Sequence, residues 1–437
     1  MKLKLAKSLH IKDVNDSIKG IYNPIKGHNF AFISNDSFSR LQEHKYNRLN
    51  ESTIEKLVEQ HFLIPEDYFE KEYFKSLKKR LTNDLHLMYI LLSPSCNLNC
   101  AYCFEQAGRI EEKTMPLEVA LKSIDYFFKN SIGERKIIFY GGEPLLNKEV
   151  LIDSIKSIRL KDKIKENLTK IVIVTNGTLV NNELAQFLKC NEVETSVSID
   201  GPKEIHDATR KNKFGKGSYE SAVKGYKILK EEGINPSVSC TINAYNVHCL
   251  PQIASFFIDQ FAPSSLGFNF LINQEKGFNP LACNIEKATN GLLEAFKIFR
   301  KNKIYEDRVM RRLEPITKNQ VYLKDCAAYG NQIVVKHDGS IGPCHAFANS
   351  NEYFEGNIMD NKFESNKEIF ETWANRNPLN MSECDNCPAI TLCGGGCAYN
   401  AKTNKGNIHS LDEQICTHTK TLLNWVLEEI WKNKSNS

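Results

Sequence analysis

Three cysteines stand close together near residue 100. Cys96, Cys100 and Cys103 are spaced C-x3-C-x2-C and follow the strand-like run Met88–Ser93, so we expect them on the loop after a buried strand. A closed structural zinc site takes four protein ligands, usually as two separated pairs. Three cysteines on one loop suit a [4Fe–4S] cube better, because the fourth iron can then take a ligand that is not protein. The spacing therefore favours an iron–sulfur cluster over a zinc knuckle.

A second group of cysteines lies in the last quarter of the chain. Its pattern is C-x12-G-x4-C, then C-x2-C-x5-C-x3-C, and a single cysteine after a further gap. The seven members are Cys326, Cys344, Cys384, Cys387, Cys393, Cys397 and Cys416. In a large chain without a secretion signal, patterned cysteines indicate metal ligation rather than disulfides.

Composition is that of an ordinary globular protein, with 41% apolar and 25% charged residues among 437. The balance of 57 Lys and Arg against 53 Asp and Glu leaves a net charge of +4, too small to favour nucleic acid or a membrane surface as partner. No apolar run approaches the roughly 20 residues of a membrane span. The basic start Met1–Lys7 lacks the apolar segment of a signal peptide, so we expect a cytoplasmic protein.

Strand-like and helix-like segments alternate between residues 87 and 305. The strand-like runs are Met88–Ser93, Lys136–Tyr140, Lys170–Thr175, Thr195–Ile199, Ser237–Asn243 and Gly267–Ile272. The helix-like segments are Leu117–Lys129, Asn147–Arg159, Asn182–Cys190, Ser218–Glu232 and Pro251–Phe261. Six such units with mainly apolar strands predict an α/β fold with a helix-covered parallel sheet. Six are short of the eight that close a full barrel.

Polar or glycine-rich patches follow four of these strands. After the cysteine loop come Tyr140-Gly-Gly-Glu-Pro144, Thr175-Asn-Gly-Thr178 and Ser198-Ile-Asp-Gly-Pro202, with Arg210 further on. Taken singly, each patch is as well explained by a turn or a solvated charge. Active sites on parallel sheets lie at the carboxyl ends of the strands, and four such patches together favour a ligand site there.

The cysteine spacing, with Tyr102 before the third cysteine, resembles the signature of the radical S-adenosylmethionine (SAM) enzymes. The resemblance implies a partial (β/α)6 barrel over residues 86–310, and a cluster on the first three cysteines whose open iron is chelated by SAM. It also implies a set of SAM contacts: Tyr102, Gly141, Gly142, Glu143, Thr175, Asn176, Ser198, Asp200 and Arg210. His206 is expected to be a structural hydrogen-bonding residue.

The later cysteine pattern resembles the SPASM domain, here residues 311–437, which binds two auxiliary [4Fe–4S] clusters. The resemblance implies an inner cluster on Cys326, Cys344 and Cys397, and an outer one on Cys384, Cys387, Cys393 and Cys416. Sulfatase-maturing relatives have a further cysteine where this chain has Gln320, so the inner cluster would keep an open iron or take Cys283. Those relatives also carry an aspartate base where this chain has His345, which makes His345 a candidate catalytic residue.

Residues 1–85 read as short strands followed by short helices, with strands over Leu3–Asp13, Ser17–Tyr22 and Asn29–Ile33. The order resembles the winged-helix RiPP recognition element, which adds a leader-peptide strand to its sheet edge. The alternative is a cap that covers the barrel mouth. Trp425 and Trp431, in the final helix, are expected to serve packing. Cys190, Cys240 and Cys249 fit neither pattern and are expected to be buried thiols.

Together the resemblances imply a peptide maturase with three [4Fe–4S] clusters and SAM. A precursor peptide would bind through its leader at the N-terminal module, and a 5′-deoxyadenosyl radical would remove a hydrogen from it. The auxiliary clusters would take a second electron as a thioether, carbon–carbon or carbon–oxygen crosslink forms. A reductase with flavodoxin or ferredoxin would supply electrons. The alternatives are an anaerobic sulfatase-maturing enzyme that makes formylglycine, and an iron–sulfur electron-transfer protein without catalysis.

Overall fold

The computed structural model describes residues 2–165, 167–272, 280–360 and 367–435. The strands are β1 (Leu3–Leu5), β2 (His10–Asp13), β3 (Ile18–Asn23), β4 (Asn29–Ser34), β5 (Leu63–Pro65), β6 (Leu87–Ser93), β7 (Lys136–Gly141), β8 (Lys170–Thr175), β9 (Val193–Ser198), β10 (Ser237–Ile242), β11 (Ser265–Phe270), β12 (Tyr305–Glu306), β13 (Gln332–Val335) and β14 (Ile341–Gly342). The helices are α1 (Asn35–Gln42), α2 (Glu51–Glu59), α3 (Glu70–Ser76), α4 (Leu117–Asn130), α5 (Lys148–Lys165), α6 (Asn182–Cys190), α7 (Lys203–Thr209), α8 (Tyr219–Glu231), α9 (Leu250–Phe261), α10 (Ile285–Lys301), α11 (Asp307–Thr317), α12 (Lys367–Ala374), α13 (Ala398–Lys405) and α14 (Glu413–Ser435). Within these ranges no helix is long and apolar enough to cross a membrane.

One parallel sheet organises the molecule. Strands β6 to β11 lie side by side in chain order, every neighbouring pair parallel, and β12 extends the sheet beyond β11. The predicted α/β class is confirmed, and the six predicted strands lie within a few residues of their predicted ends. The apolar side chains of these strands pack against α4, α5, α6, α9 and α10 in one continuous core.

The sheet also includes a strand from the cysteine-rich C-terminal region. The sequence did not predict this pairing. Strand β13 pairs with β6 in parallel, with Val335 opposite Ile90, and β14 then pairs antiparallel with β13. Because Cys326 precedes this hairpin and Cys344 follows it, two of the later cysteines are anchored to the strand that leads into the first cysteine loop.

The N-terminal module contains two small sheets rather than one. The predicted strand Leu3–Asp13 is interrupted: β1 pairs with β5, whereas β2, β3 and β4 form a separate antiparallel meander. The chain bends between them because the buried Glu70 carboxylate accepts backbone N–H groups from Lys7, at 2.6 Å, and Ser8, at 3.0 Å.

The last helix covers the meander. The Trp431 ring lies 5.2 Å from that of Phe32, and Trp425 packs edge-on against Phe296 at 6.0 Å, so both tryptophans serve packing as predicted. His10 hydrogen-bonds Asn424 of the same helix at 2.8 Å. The module is therefore held by the C-terminal end of the chain.

Helix α8 touches the loop after β8 through a glycine. A Cβ on Gly225 would lie 1.9 Å from the backbone oxygen of Gly177, so helix and loop meet without room for a methyl group. That loop includes Asn176, one of the predicted SAM contacts.

We expect Gly225→Ala to destabilise the protein by about 1–3 kcal/mol, since the helix must move away from the loop. The matched control is Gly291→Ala in α10, where the nearest atom to a new Cβ is a Leu250 side-chain carbon at 3.3 Å. There the gain of about 1 kcal/mol in helix propensity offsets the crowding. Thermal unfolding midpoints of the two variants measure the difference. Equal midpoints would contradict this account of the contact.

Candidate active site

A cavity of about 540 Å³ lies at the carboxyl ends of the sheet strands. Six cysteines line it, three from each group: Cys96, Cys100, Cys103, Cys326, Cys344 and Cys397. Eight of the nine residues predicted to contact SAM line it as well: Tyr102, Gly141, Gly142, Glu143, Thr175, Asn176, Ser198 and Arg210. Among the described residues, Tyr89 is the first along the chain to line the cavity.

The cysteine loop is held by unusually close backbone contacts. The N–H of Gly142 donates to the Ser93 carbonyl at 2.8 Å, and that of Glu143 to the Ser95 carbonyl at 2.9 Å. A Cβ on Gly142 would lie 2.2 Å from the Ser95 oxygen, and one on Gly141 2.3 Å from the Ser93 oxygen. The paired glycines are therefore required for the end of β7 to lie against the start of the loop.

A second contact joins the same loop to the end of β8. The Asn176 amide donates to Asn97 Oδ1 at 2.9 Å and lies 3.7 Å from Cys96 Sγ, and Asn97 donates to Thr178 at 2.8 Å. The cysteine loop is thus held at the ends of both β7 and β8.

Glu143 is fully buried beside this loop. Its oxygens accept from the Thr175 hydroxyl at 2.7 Å and from the backbone N–H groups of Asn176 and Leu145, at 2.8 and 3.1 Å. Burial raises the pKa of the carboxyl to about 7, against the lowering effect of these donors. A carboxylate that lines the cavity in this way is suited to bind an ammonium group.

Asp200 does not face the cavity. It is fully buried, and Oδ2 accepts from Tyr102 Oη at 2.5 Å and from Arg210 Nε at 2.9 Å, while Oδ1 accepts from the Thr241 N–H at 2.9 Å. The sequence predicted that the Asp200 carboxylate contacts SAM. In the structure this carboxylate instead binds groups of the protein itself. The carboxylate holds Arg210 and Tyr102, which do line the cavity.

His206 has the structural role predicted for it. It is buried, its Nε2 lies 3.0 Å from Ser218 Oγ, and its Nδ1 accepts the Asp200 N–H at 3.4 Å. Burial lowers the pKa of the ring to about 4, so it is neutral near pH 7.

Members of each predicted cysteine set raise one another's thiol pKa. Burial raises the pKa of the Cys344 thiol, and its neighbours Cys326 and Cys397 raise it further. The same holds for Cys96 with Cys100 and Cys103, where the pKa rises to about 12. The remaining set lies outside the cavity. Burial raises the pKa of the Cys384 thiol, and the other three members of the set raise it further: Cys393, Cys387 and Cys416. Iron must displace protons from each set on binding.

Backbone N–H groups point at these sulfurs in a repeated way. Cys96, Cys326 and Cys393 each accept from the N–H two residues on, at 3.3, 3.5 and 3.3 Å. In four more cysteines, burial raises the thiol pKa and the backbone N–H of the residue two positions on lowers it. These are Cys103, Cys344, Cys387 and Cys397. Such donors stabilise thiolates and tune iron–sulfur clusters, so the cysteines fit the groups that the sequence predicts.

Among the described ranges no group of three or more His, Cys, Asp or Glu residues is arranged to hold a single ion.

The other cysteines behave differently. The thiols of Cys240 and Cys249 donate to the backbone oxygens of Asp200 and Asn246, each at 3.5 Å, as structural thiols do. Cys190 is exposed, which corrects the prediction that it is buried, since it ends α6 at the surface. Cys283 is not among the cavity-lining residues, and Gln320 is exposed.

Four cavity-lining residues each have a polar atom without a hydrogen-bond partner among the described residues, and two of them, Glu105 and His345, are titratable; the other two are Trp373 and Asn400. His345 stacks on Tyr89, with ring centroids 4.9 Å apart, and its Nδ1 makes no hydrogen bond to any described residue. The same is true of Glu105 Oε1, and burial raises the pKa of that carboxyl to about 8. Orphaned polar atoms are costly in a protein interior, and both line the space that a ligand would fill.

Apart from Ser198, the sequence did not identify the polar strand residues of the cavity wall. On β9, β10 and β11 alternate residues face the cavity: Ser196, Ser198, Ser239, Thr241 and Asn269. Their period of two was visible in the sequence and indicates a strand face directed at polar contents. Arg308 joins them from α11, where its Nη2 donates to Asn269 Oδ1 at 3.0 Å, and no motif pointed to it.

Residues 90–251 match the family model of the Radical SAM superfamily. The chain belongs to this superfamily. Along 97% of its length it is 24% identical to the radical SAM cyclopropyl synthase TigE of Paramaledivibacter caminithermalis, covering 92% of that protein. Along 72% of its length it is 27% identical to a cysteine-type anaerobic sulfatase-maturating enzyme of Clostridium perfringens, covering 88% of it.

Two solved structures have a similar fold. Native anSMEcpe with bound AdoMet and Cp18Cys peptide has a TM-score of 0.68 and 22% identity, over 81% of this chain and 100% of that one. SuiB of Streptococcus suis bound to precursor peptide SuiA has a TM-score of 0.56 and 14% identity, over 95% and 99%. The protein is a radical SAM enzyme, which implies a [4Fe–4S] cluster and SAM and excludes the electron carrier without catalysis.

We expect Asp200→Asn to destabilise this radical SAM enzyme by about 3–5 kcal/mol, because Arg210 is left as an uncompensated buried charge. The control is Asp207→Asn, whose half-exposed carboxylate pairs with Lys203 at 2.9 Å and should cost at most about 1 kcal/mol. Thermal unfolding and equilibrium SAM binding measure both variants. Wild-type SAM affinity and stability in Asp200→Asn would show that the ion pair does not hold the site.

Proposed function

We propose that the protein is a radical SAM peptide maturase that installs an oxidative crosslink in a ribosomally made precursor peptide. The observation that carries the proposal is the single cavity shared by the first cysteine loop and the inner triad Cys326, Cys344 and Cys397. When bound, cluster and SAM supply a 5′-deoxyadenosyl radical for hydrogen abstraction, and auxiliary clusters supply an acceptor for the second electron that a crosslink requires.

The chain's own residues bind and orient SAM. Cys96, Cys100 and Cys103 hold the cluster, and the Glu143 carboxylate receives the ammonium group of the SAM methionine. Arg210, fixed by Asp200, faces the carboxylate of that methionine. Ser198 lies next to the ribose. Gly141 and Gly142 bring the backbone of β7 close to the cysteine loop, so that these groups converge.

We assign the inner auxiliary cluster to Cys326, Cys344 and Cys397, and the outer one to the four cysteines outside the cavity. With three cysteines and no fourth at position 320, this cluster would have an open iron. An open iron can bind a thiolate, and a cysteine-containing peptide offers one. His345, next to Cys344, would contact the peptide bound in this space.

The relatives support a peptide substrate. In the two similar structures, anSMEcpe is bound to the Cp18Cys peptide and SuiB is bound to the precursor peptide SuiA. TigE matches the chain almost end to end, N-terminal module included. A cyclopropyl ring is closed by a new carbon–carbon bond, so this relative favours the carbon–carbon alternative among the three crosslinks.

The N-terminal module is suited to bind the leader. In the described residues β4 pairs on one side only, with β3, which leaves an edge for an added strand. An extended peptide can hydrogen-bond to such an edge through its main chain.

The second candidate is an anaerobic sulfatase-maturing enzyme. One such enzyme of known structure has a similar fold, with a TM-score of 0.68. Another is similar in sequence over 72% of this chain. His345 occupies the place of their aspartate base, and its ring is stacked on Tyr89 with a pKa that burial lowers to about 4. The exposed Gln320 binds the module through its backbone oxygen, 2.7 Å from His28, where those relatives have a cysteine. Both differences favour the maturase.

Iron content tests the cluster assignment. After anaerobic reconstitution the wild type should hold about twelve irons, as three [4Fe–4S] clusters require. Replacing Cys96, Cys100 and Cys103 together by Ala should remove about four, and so should replacing the outer four cysteines. The control is Cys190→Ala/Cys249→Ala, which should retain all of them. About four irons in the wild type would contradict the auxiliary clusters.

The function itself is tested with peptides encoded beside the gene. With SAM and dithionite, the reconstituted enzyme should release 5′-deoxyadenosine and return a peptide that has lost two hydrogen atoms and gained an internal bond, located by tandem mass spectrometry. A peptide without its leader should remain unmodified. A formylglycine aldehyde in a sulfatase peptide, with no crosslink in any precursor, would favour the second candidate instead.

A further inference from the structure

One exposed loop is paired directly with the first cysteine loop. Residues 211–217 connect α7 to α8, and the N–H of Asn99 donates to the Lys211 carbonyl at 2.7 Å. An isolated bridge also joins Leu98 to Asn212. The N–H of Ala101 donates to the Thr209 carbonyl at 2.9 Å. The backbone before Cys100 is therefore bonded to this segment, and the backbone after Cys100 is bonded to the end of α7.

The cysteine loop reaches the surface at the same place. Asn99 and Ala101 are exposed, while Cys100 between them is half-buried. Arg210, immediately before the segment, lines the cavity together with Cys100. A covalent and hydrogen-bonded route of a few residues thus runs from the exposed loop to one predicted ligand of the radical SAM cluster.

The loop carries three lysines and an outward-facing aromatic ring. Lys211, Lys213 and Lys216 are all exposed, and Phe214 is 88% exposed, more than the other large hydrophobic side chains of the described ranges that stand out in solvent. The exposure is fixed by a tight turn, since Asn212 Oδ1 accepts the N–H groups of Phe214 and Lys216 at 2.9 and 3.0 Å.

The lysine charges are not neutralised locally. In the part of the chain that the structure describes, none of the three forms an ion pair within 4.0 Å. The nearest acidic side chains in the sequence, Asp207 and Glu220, both pair with Lys203, at 2.9 and 3.5 Å. A net charge of +4 over 437 residues makes this patch a local feature, not a consequence of a basic protein.

We propose that Lys211, Lys213, Lys216 and Phe214 form the docking surface for a small acidic protein that donates electrons to the cluster on Cys96, Cys100 and Cys103. Each encounter passes one electron: the donor is oxidised by one electron and the cluster reduced by one. The lysines steer an acidic partner, and the ring provides an apolar contact at the centre of the patch. The surface lies outside the cavity, so a donor can bind while substrate and SAM occupy it.

The charge and the position of the patch identify this occupant. Radical SAM chemistry consumes an electron for every SAM cleaved, and electron transfer requires a short distance between donor and cluster. Interfaces between redox partners are small and transient, which suits one loop with one exposed ring. An acidic precursor peptide would match the charge, but it would have no reason to bind outside the cavity beside Cys100.

The test uses a flavodoxin, reduced to its hydroquinone, and the variant Lys211→Glu/Lys213→Glu/Lys216→Glu. Binding of the flavodoxin, measured by calorimetry at low salt, should weaken at least about tenfold, and its salt dependence should diminish. Cluster reduction by the flavodoxin, followed by stopped-flow absorbance, should slow by a similar factor. Phe214→Ala, which leaves the charge unchanged, should weaken binding without altering the salt dependence.

The matched control is Lys224→Glu/Lys227→Glu/Lys301→Glu, which reverses three exposed charges on helices and should bind flavodoxin as the wild type does. Dithionite needs no docking surface, so SAM cleavage with dithionite should be equal in all variants. Wild-type binding and reduction in the loop variant would overturn the proposal. So would loss of dithionite-driven cleavage, which would assign the loop a structural role, or a selective loss of peptide binding.

Discussion

The buried ion pair of Asp200 and Arg210 connects more of this structure than any other interaction. Asp200 follows β9, receives a backbone N–H from β10, and binds Tyr102 of the cysteine loop as well as Arg210. Arg210 in turn lines the cavity and immediately precedes the exposed lysine loop. A charge pair taken out of water is costly unless every remaining lone pair and proton is satisfied. The full set of donors around this carboxylate meets that condition and fixes one geometry for the site.

The central sheet brings the two cysteine groups into one cavity. Strand β6 leads into the first cysteine loop and also pairs with β13, which stands between Cys326 and Cys344. The separation along the chain exceeds two hundred residues, yet a single strand positions both groups. Because the C-terminal region completes the sheet, we expect it to fold together with the barrel and not as an independent appendage.

Local patterns in the sequence were sufficient for the barrel. The strand Lys170–Thr175 and the helix Asn182–Cys190 coincide with β8 and α6, since apolar periodicity and N-terminal caps specify such elements locally. Pairings between distant segments were not predictable: β1 with β5, and β13 with β6, are short strands whose partners lie far along the chain. Asp200 was assigned to the wrong side of its strand end because a loop motif does not indicate which charges the protein neutralises itself.

Backbone donors distinguish the predicted cluster cysteines from Cys240 and Cys249 on grounds other than spacing. The sulfurs of Cys96, Cys326 and Cys393, one from each predicted set, accept the backbone N–H of the residue two positions on. The sulfurs of Cys240 and Cys249 instead donate to backbone oxygens, and Cys240 accepts from the side-chain amide of Asn246. A backbone N–H at a sulfur favours its thiolate form, against the rise in pKa that burial causes at Cys96. Because backbone geometry produces these donors, they are present in the folded chain before any cluster binds.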